Sequence, residues 1–244
     1  MTSAKKLMSR LPPEAIRQTA LQRLPADFLR RMRALDDLTS TLSDAMDLLG
    51  LTGVVPARVL APNLASQTIV GQAITVRNTA RQGSVTTTAQ LGVNKMGELE
   101  AYQLAQSGDI IVIQGLMDAS NMGGQSASLA HRAGCAGAVI DGSYRDPQSS
   151  QSLRFPIWSR GVTPITGKWR LETVEINGPV QIAGVLVQAG DLVAADSGGI
   201  VFVPFDWVER VLLEAERMHR GDVAHRADIA AGIDLTTLAN TKYK

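Results

Sequence analysis

The chain has 244 residues, 45% hydrophobic and 19% charged, enough to bury one large core or two small ones. Its net charge of +1 and 4% aromatic content supply neither the basic field nor the stacking platforms of a nucleic-acid binder. A single cysteine, Cys135, rules out an internal disulfide framework and fits a reducing compartment.

Lys5, Lys6 and Arg10 stand near the start, but Pro12 and Pro13 occupy the place where the apolar stretch of a signal peptide would follow. No apolar run reaches the roughly 18 residues of a membrane span, so a cytoplasmic protein is expected. Residues 1–37 are polar, basic and helix-prone, with Leu24, Phe28, Leu29 and Met32 at helical spacing. They read as an N-terminal helical extension that packs on the body. Thr41-x-x-Asp44 resembles a capping box, followed by the apolar stripe Leu42, Ala45, Met46 and Leu49 and a stop at Gly50. A short amphipathic helix over 41–49 is predicted.

From Ile69 the pattern changes to strands. Residues 69–76 read as a strand, residues through Ser84 as a polar loop, and 86–106 as a helix with Leu91, Met96, Leu99, Tyr102 and Leu104 inward. Within the Ser84–Thr88 cluster a helix N-cap is expected. Residues 110–113 form a buried strand, 126–133 a short helix stopped by Gly134, and 138–140 a second buried strand. That spacing implies a right-handed βαβ crossover. After Pro156, short β-branched segments are expected at 162–165, 185–187, 192–195 and 200–203. A long helix then starts at Asp206, with Trp207, Val208, Val211, Leu212, Ala215 and Met218 on its apolar face and a bend at Gly221-Asp222. No linker divides the chain. It reads as an N-terminal extension (1–37), a single α/β domain (38–235) and a C-terminal tail (236–244).

Two short motifs carry chemistry. Gly123-Gly124-Gln125-Ser126 precedes or opens a helix, where free N–H groups and the helix dipole favour a carboxylate or phosphate. The same glycines also suit a plain strand-to-helix turn. Arg145-Asp146 follows a buried strand and an Asp141-Gly142 turn, at the sheet edge where α/β folds bind ligands. Arginine's planar fork grips a carboxylate, aspartate is a hard ligand suited to Mg²⁺, and Pro147 biases Asp146 toward an extended backbone. A surface ion pair is the plainer alternative. His131, His219 and His225 lack metal-ligand spacing. Lys95 and Lys168 lack the desolvated setting of a Schiff-base lysine, and Cys135 reads as a small core residue.

The run Gly108-Asp-Ile-Ile-Val-Ile113, then Gly123-Gly-Gln-Ser126, then Gly137-Ala-Val-Ile-Asp-Gly-Ser-Tyr-Arg-Asp146 resembles the RraA-like family. So do Thr-Leu-Ser-Asp-Ala-Met at 41–46, Ala195-Asp-Ser-Gly-Gly-Ile-Val-Phe-Val-Pro204 and the C-terminal helix. The resemblance covers roughly residues 38–235. It implies a layered β/β/α fold with additional N- and C-terminal helices, assembled as homotrimers or homohexamers with the site between protomers. The family includes divalent-metal 4-hydroxy-4-methyl-2-oxoglutarate / 4-carboxy-4-hydroxy-2-oxoadipate aldolases, some of which decarboxylate oxaloacetate. It also includes non-catalytic regulators that bind RNase E. By resemblance, Gly123, Gly124, Gln125, Ser126 and Arg145 bind the substrate's pyruvyl group, and Asp146 ligates Mg²⁺ or Mn²⁺. The regulators typically lack an aspartate at that place, so Asp146 favours the enzyme: a class II lyase releasing pyruvate through a stabilised enolate. There are two departures. Many members carry an acidic residue where Gly124 stands. Their C-terminal-helix glutamate, which acts on a neighbouring subunit, has Asp222 as its nearest match, with Glu216 as a fallback.

Overall fold

The computed structural model describes residues 11–243; Lys5, Lys6, Arg10 and the rest of the first ten positions, with Lys244, lie outside the described residues. The helices are α1 (Ala26–Arg33), α2 (Leu38–Leu48), α3 (Val85–Gln90), α4 (Glu98–Leu104), α5 (Gly124–Arg132), α6 (Pro147–Ser152), α7 (Val208–Ala230) and α8 (Leu235–Asn240). The strands are β1 (Val54–Pro56), β2 (Ala61–Pro62), β3 (Ile69–Ala80), β4 (Ile110–Gln114), β5 (Gly137–Tyr144), β6 (Ile157–Val162) and β7 (Leu171–Ile176), then β8 (Val180–Ile182), β9 (Val185–Val187), β10 (Leu192–Ala195) and β11 (Gly199–Val203).

Strand β3 organises the molecule. Its first half, from Ile69 to Gln72, pairs antiparallel with β10. Its second half pairs parallel with β4 on one edge and antiparallel with β7 on the other. One nine-stranded mixed sheet results, in the order β1-β11-β10-β3-β4-β5-β6-β2, with β7 branching from β3. Strand β4 and the first halves of β3, β5 and β6 carry no charge because both of their faces are covered. Ile111, Ile113, Ala138 and Ile140 pack under α4 and α5 with Ala101, Tyr102, Ala127 and Ala130. The alternate residues Ile110, Val112 and Val139 face Val180, Ile182 and Val187 of the small β8-β9 layer. A third cluster joins α2 and α7 to Val70, Ala194 and Val201. The fold is thus α/β, with a large mixed sheet, a second β layer and flanking helices.

The N-terminal segment is tied to the body by specific bonds. The Gln72 carboxamide accepts from the Leu24 amide (3.0 Å) and donates to the Gln22 (3.0 Å) and Gly190 (2.9 Å) carbonyls. Arg23 Nη1 donates to the buried Asp109 at 2.6 Å. Leu24 and Met32 enter the α2–α7 cluster. No helix among the described residues is long and apolar enough to cross a membrane.

Several expected boundaries move, each for a local reason. Helix α2 begins at Leu38 after a left-handed Asp37, and Thr41 sits inside it with its hydroxyl donating to the Asp36 carbonyl, so Thr41-x-x-Asp44 is not its cap. The single helix expected over 86–106 is two, because Gly92 takes φ +65° and Lys95 makes a β-bridge to Glu172. Ser84 does cap α3, its Oγ accepting from the Thr87 amide. The strand expected at 162–165 ends at Val162, having begun at Ile157. Helix α7 runs unbroken through Gly221 and Asp222, since Gly221 is buried within it rather than marking a bend.

Candidate functional site

At the carboxyl ends of β4 and β5 the chain makes a close-packed junction. The connection from β4 to α5 passes under Asn121, whose side chain donates to the carbonyls of Leu116 (2.8 Å) and Ser143 (3.0 Å) and accepts from the Leu116 amide (3.2 Å). The expected Asp141-Gly142 turn is instead continuous strand: β5 runs to Tyr144, with a register irregularity between Ile140 and Ser143. Gly142 is there for close approach, because a Cβ would come within 2.6 Å of the Leu116 carbonyl oxygen. Asp141 is a pin between layers, accepting from Arg160 and, at 2.7 Å, from the Ala183 amide. Asn121 is a scaffold residue that the sequence pattern does not single out.

Extending β5 to Tyr144 carries Arg145 and Asp146 beside the start of α5. The helix opens at Gly124, two residues earlier than predicted, so Gly124, Gln125 and Ser126 form its first turn and Gly123 its N-cap. First-turn amides have no acceptor inside the helix. One is already used: the Gly124 N–H donates to Asp146 Oδ2 at 2.9 Å. Asp146 is left-handed (φ +59°), not extended, and this conformation, which aspartate tolerates better than most residues, folds its carboxylate back onto α5. Arg145 Nε lies 3.5 Å from the same Oδ2. Glycine at 123 permits this contact, since a Cβ there would sit 2.8 Å from Arg145 Nε and 3.2 Å from Asp146 Oδ2.

A cavity of about 240 Å³ opens beside this junction, lined by Gly123, Gln125, Ser126 and Arg145 from the predicted set. Its other walls include Asn94 and Met96 before α4, Glu98 and Leu99 at its start, and Thr166, Gly167 and Lys168 from the loop after β6. Ser126 Oγ is 2.7 Å from the hydroxyl of buried Tyr102. Burial, then the nearby charge of Glu98, push the Tyr102 phenol well above its usual range, so it stays protonated and available to hydrogen-bond Ser126. Glu98, Tyr102 and Lys168 are additions to the predicted set. Lys168, which lacks the desolvated setting of a Schiff-base lysine, is exposed and also edges the cavity.

Two predicted residues stand apart. Gly124 does not line the cavity: a Cβ on it would meet Ser149 Cβ and Oγ of α6 at 2.7 Å. The place where an acidic side chain is common in the resembling family is therefore closed by α6. Asp222 lines a separate polar pocket with Asp36, Asp37, Asp44, His219 and Arg226, so within its own chain it does not reach Arg145. Glu216 is engaged elsewhere, accepting from Arg31 Nε and Nη2 at 2.7 Å each.

Asp146 keeps a half-exposed carboxylate with Oδ2 already oriented by an amide. No group of three or more His, Cys, Asp or Glu side chains among the described residues could cage an ion. One carboxylate beside an open cavity fits a hard cation such as Mg²⁺, which retains water and completes its shell with substrate oxygens.

Comparison with known proteins gives a consistent picture. A family model described as RraA-like, Aldolase/RraA, matches residues 39–202. A Halalkalibacterium halodurans protein named "Putative 4-hydroxy-4-methyl-2-oxoglutarate aldolase" is 32% identical over 209 residues, 85% of this chain and 90% of that protein. The crystal structure of an uncharacterized protein from Pseudomonas syringae pv. tomato superposes with a TM-score of 0.76 at 28% identity, covering 91% of this chain and 96% of the other. Streptomyces coelicolor RraAS2, described as an unusual member of the RNase ES inhibitor RraA family, shares the fold at a TM-score of 0.70 and 24% identity, over 84% of this chain and 98% of its own.

Proposed function

The chain belongs to the RraA-like family, and from that premise we propose that it is a divalent-metal-dependent lyase releasing pyruvate from a 4-hydroxy-2-oxo acid or from oxaloacetate. The observation that carries the reading is the convergence of Asp146 and Arg145, which lines a polar cavity, on the first turn of α5.

Arg145 and the first-turn amides of Gln125 and Ser126 would hold the substrate's carboxylate, a planar cation and backbone donors acting together. Gly123 lets that carboxylate approach the main chain. The Tyr102 phenol would fix the Ser126 hydroxyl so that it points one way during binding. Asp146 would hold the Mg²⁺ or Mn²⁺, which when bound supplies Lewis-acid stabilisation of the negative charge developing on the 2-oxo oxygen. Gly124 acts through its amide, which sets the orientation of Asp146. Asp222 would take part only from a neighbouring copy in a homotrimer or homohexamer, where its carboxylate could order water at the open side of the cavity.

The test is a coupled pyruvate-release assay on oxaloacetate and several 4-hydroxy-2-oxo acids, with Mg²⁺ or with EDTA. EDTA-sensitive release by the wild type and its loss in D146A are expected. No EDTA-sensitive pyruvate from any of these acids sinks the proposal. A non-catalytic regulator binding RNase E or another protein would need none of these ligands, and D146A would leave its binding intact.

A further inference from the structure

Retro-aldol cleavage needs a base for the C4 hydroxyl, and the groups that this chain's own cavity has been given so far are donors and cations. Among its described lining residues Glu98 alone is acidic, and it shares the cavity with Arg145, Ser126 and Lys168. We propose that Glu98 is the general base of this reaction, an inference that rests on the lyase reading above.

The position of Glu98 is fixed from several sides. It is the first residue of α4. The preceding Gly97 donates its amide to Thr173 Oγ1 at 2.8 Å, and the Thr173 amide donates to the Lys95 carbonyl at 3.1 Å. Leu11, from the N-terminal segment, packs so tightly over Gly97 that a Cβ there would lie 2.5 Å from Leu11 Cδ1. The first turn of α4 is therefore clamped between β7 and the N-terminal segment. The carboxylate is close enough to Tyr102 for its charge to act on that phenol, and Tyr102 in turn touches Ser126. Glu98 thus lines the same cavity as Gln125, Ser126 and Arg145 and, in this proposal, faces the carbons beyond the 2-oxo group. At Gly124 a Cβ would meet Ser149 at 2.7 Å, so an acidic side chain there would require α6 to shift.

The step balances. Glu98 takes the C4 hydroxyl proton, and the O–H electron pair becomes the second bond of the new C4 carbonyl. The C3–C4 bond breaks, and its electrons become the enolate of pyruvate. The proton on Glu98 then passes to C3, giving pyruvate and restoring the carboxylate. Oxaloacetate loses CO₂ with no hydroxyl proton to remove, so its decarboxylation does not require this base, and water can protonate C3.

The experiment compares wild type, E98Q and E98A on a 4-hydroxy-2-oxo acid and on oxaloacetate, with circular dichroism confirming the fold. E98Q should lower kcat for retro-aldol cleavage by about 10²–10⁴-fold, the usual worth of a general base. Decarboxylation should stay within about tenfold, the margin left for proton return to C3 from the same carboxyl. Added formate should restore part of the lost retro-aldol rate in E98A. An active wild type with an unimpaired E98Q overturns the inference alone. Equal loss of both reactions, with no formate rescue, also overturns it and marks Glu98 as structural. A wild type without EDTA-sensitive pyruvate release overturns the lyase reading and this inference together.

Discussion

Replacing Gly124 with alanine tests how tightly α5 and α6 close around the site. The new Cβ would lie 2.7 Å from both Ser149 Cβ and Oγ, and 3.2 Å from Asp146 Cβ. The contacting atom is a Cβ on a helix, not the loose end of a long side chain, so α6 itself has to move. Its first turn is anchored by the Ser149 amide bonding the Asp146 carbonyl at 3.0 Å, so a shift there is passed to Asp146. Overpacking of this kind costs about 1–3 kcal/mol. Alanine recovers at most about 0.5–1 kcal/mol of backbone entropy relative to glycine, less at the first position of a helix than inside it. The net expectation is a loss of about 1–2 kcal/mol, or about 2–8 °C in Tm for a chain of this size. Urea and thermal unfolding of wild type, G124A, S149G and the double variant form a cycle that isolates the contact. S149G removes both clashing atoms, so the double variant should be more stable than the sum of the single effects by about 1 kcal/mol. G124A melting at or above the wild-type temperature, or effects that simply add, would refute the steric reasoning. An intact G124A fold with weakened Mg²⁺ affinity would show in addition that this packing orients Asp146.

Two further predictions concern the N-terminal segment. R23A leaves the buried Asp109 carboxylate, among the described residues, with only its bond from the Gln106 amide, and should cost about 1–3 kcal/mol in urea unfolding; no change would mean the segment is held without that pair. The hydrogen bonds from Arg31 hold the Glu216 carboxyl below its usual 4.5, so the stability they contribute is present above that value and lost as pH falls through the depressed one. The Tm difference between wild type and E216Q should therefore be largest near neutrality and shrink below pH 4.5; a difference that persists in acid would contradict the assignment.

The strands from 110, 137 and 192 were legible because each is a short run of branched apolar residues bounded by Gly-Asp or Gly turns. Cys135 and the apolar face of α7 follow from local chemistry in the same way. Less local features were missed. Strand β7 reads Leu-Glu-Thr-Val-Glu-Ile, its adjacent Glu172 and Thr173 breaking the alternation, and its pairing to the far end of β3 makes it a strand. Gly142 and Gly221 read as turn or bend signals, yet one admits a neighbouring carbonyl and the other lies buried inside a helix.

At the site, residue types and spacing alone determined that Gly123–Ser126 and Arg145-Asp146 belong together, because one helix and one strand return the chain to the same sheet edge. Sequence could not determine what each group does there. The left-handed turn at Asp146 spends the Gly124 amide on a protein carboxylate, and Ser149 closes the space beside Gly124. Glu98 and Lys168 reach the cavity, and Tyr102 reaches Ser126 behind it, from segments that share no motif with it. Side-chain chemistry and periodicity are written along the chain, whereas occupancy of a given volume is decided by whatever other segment packs into it.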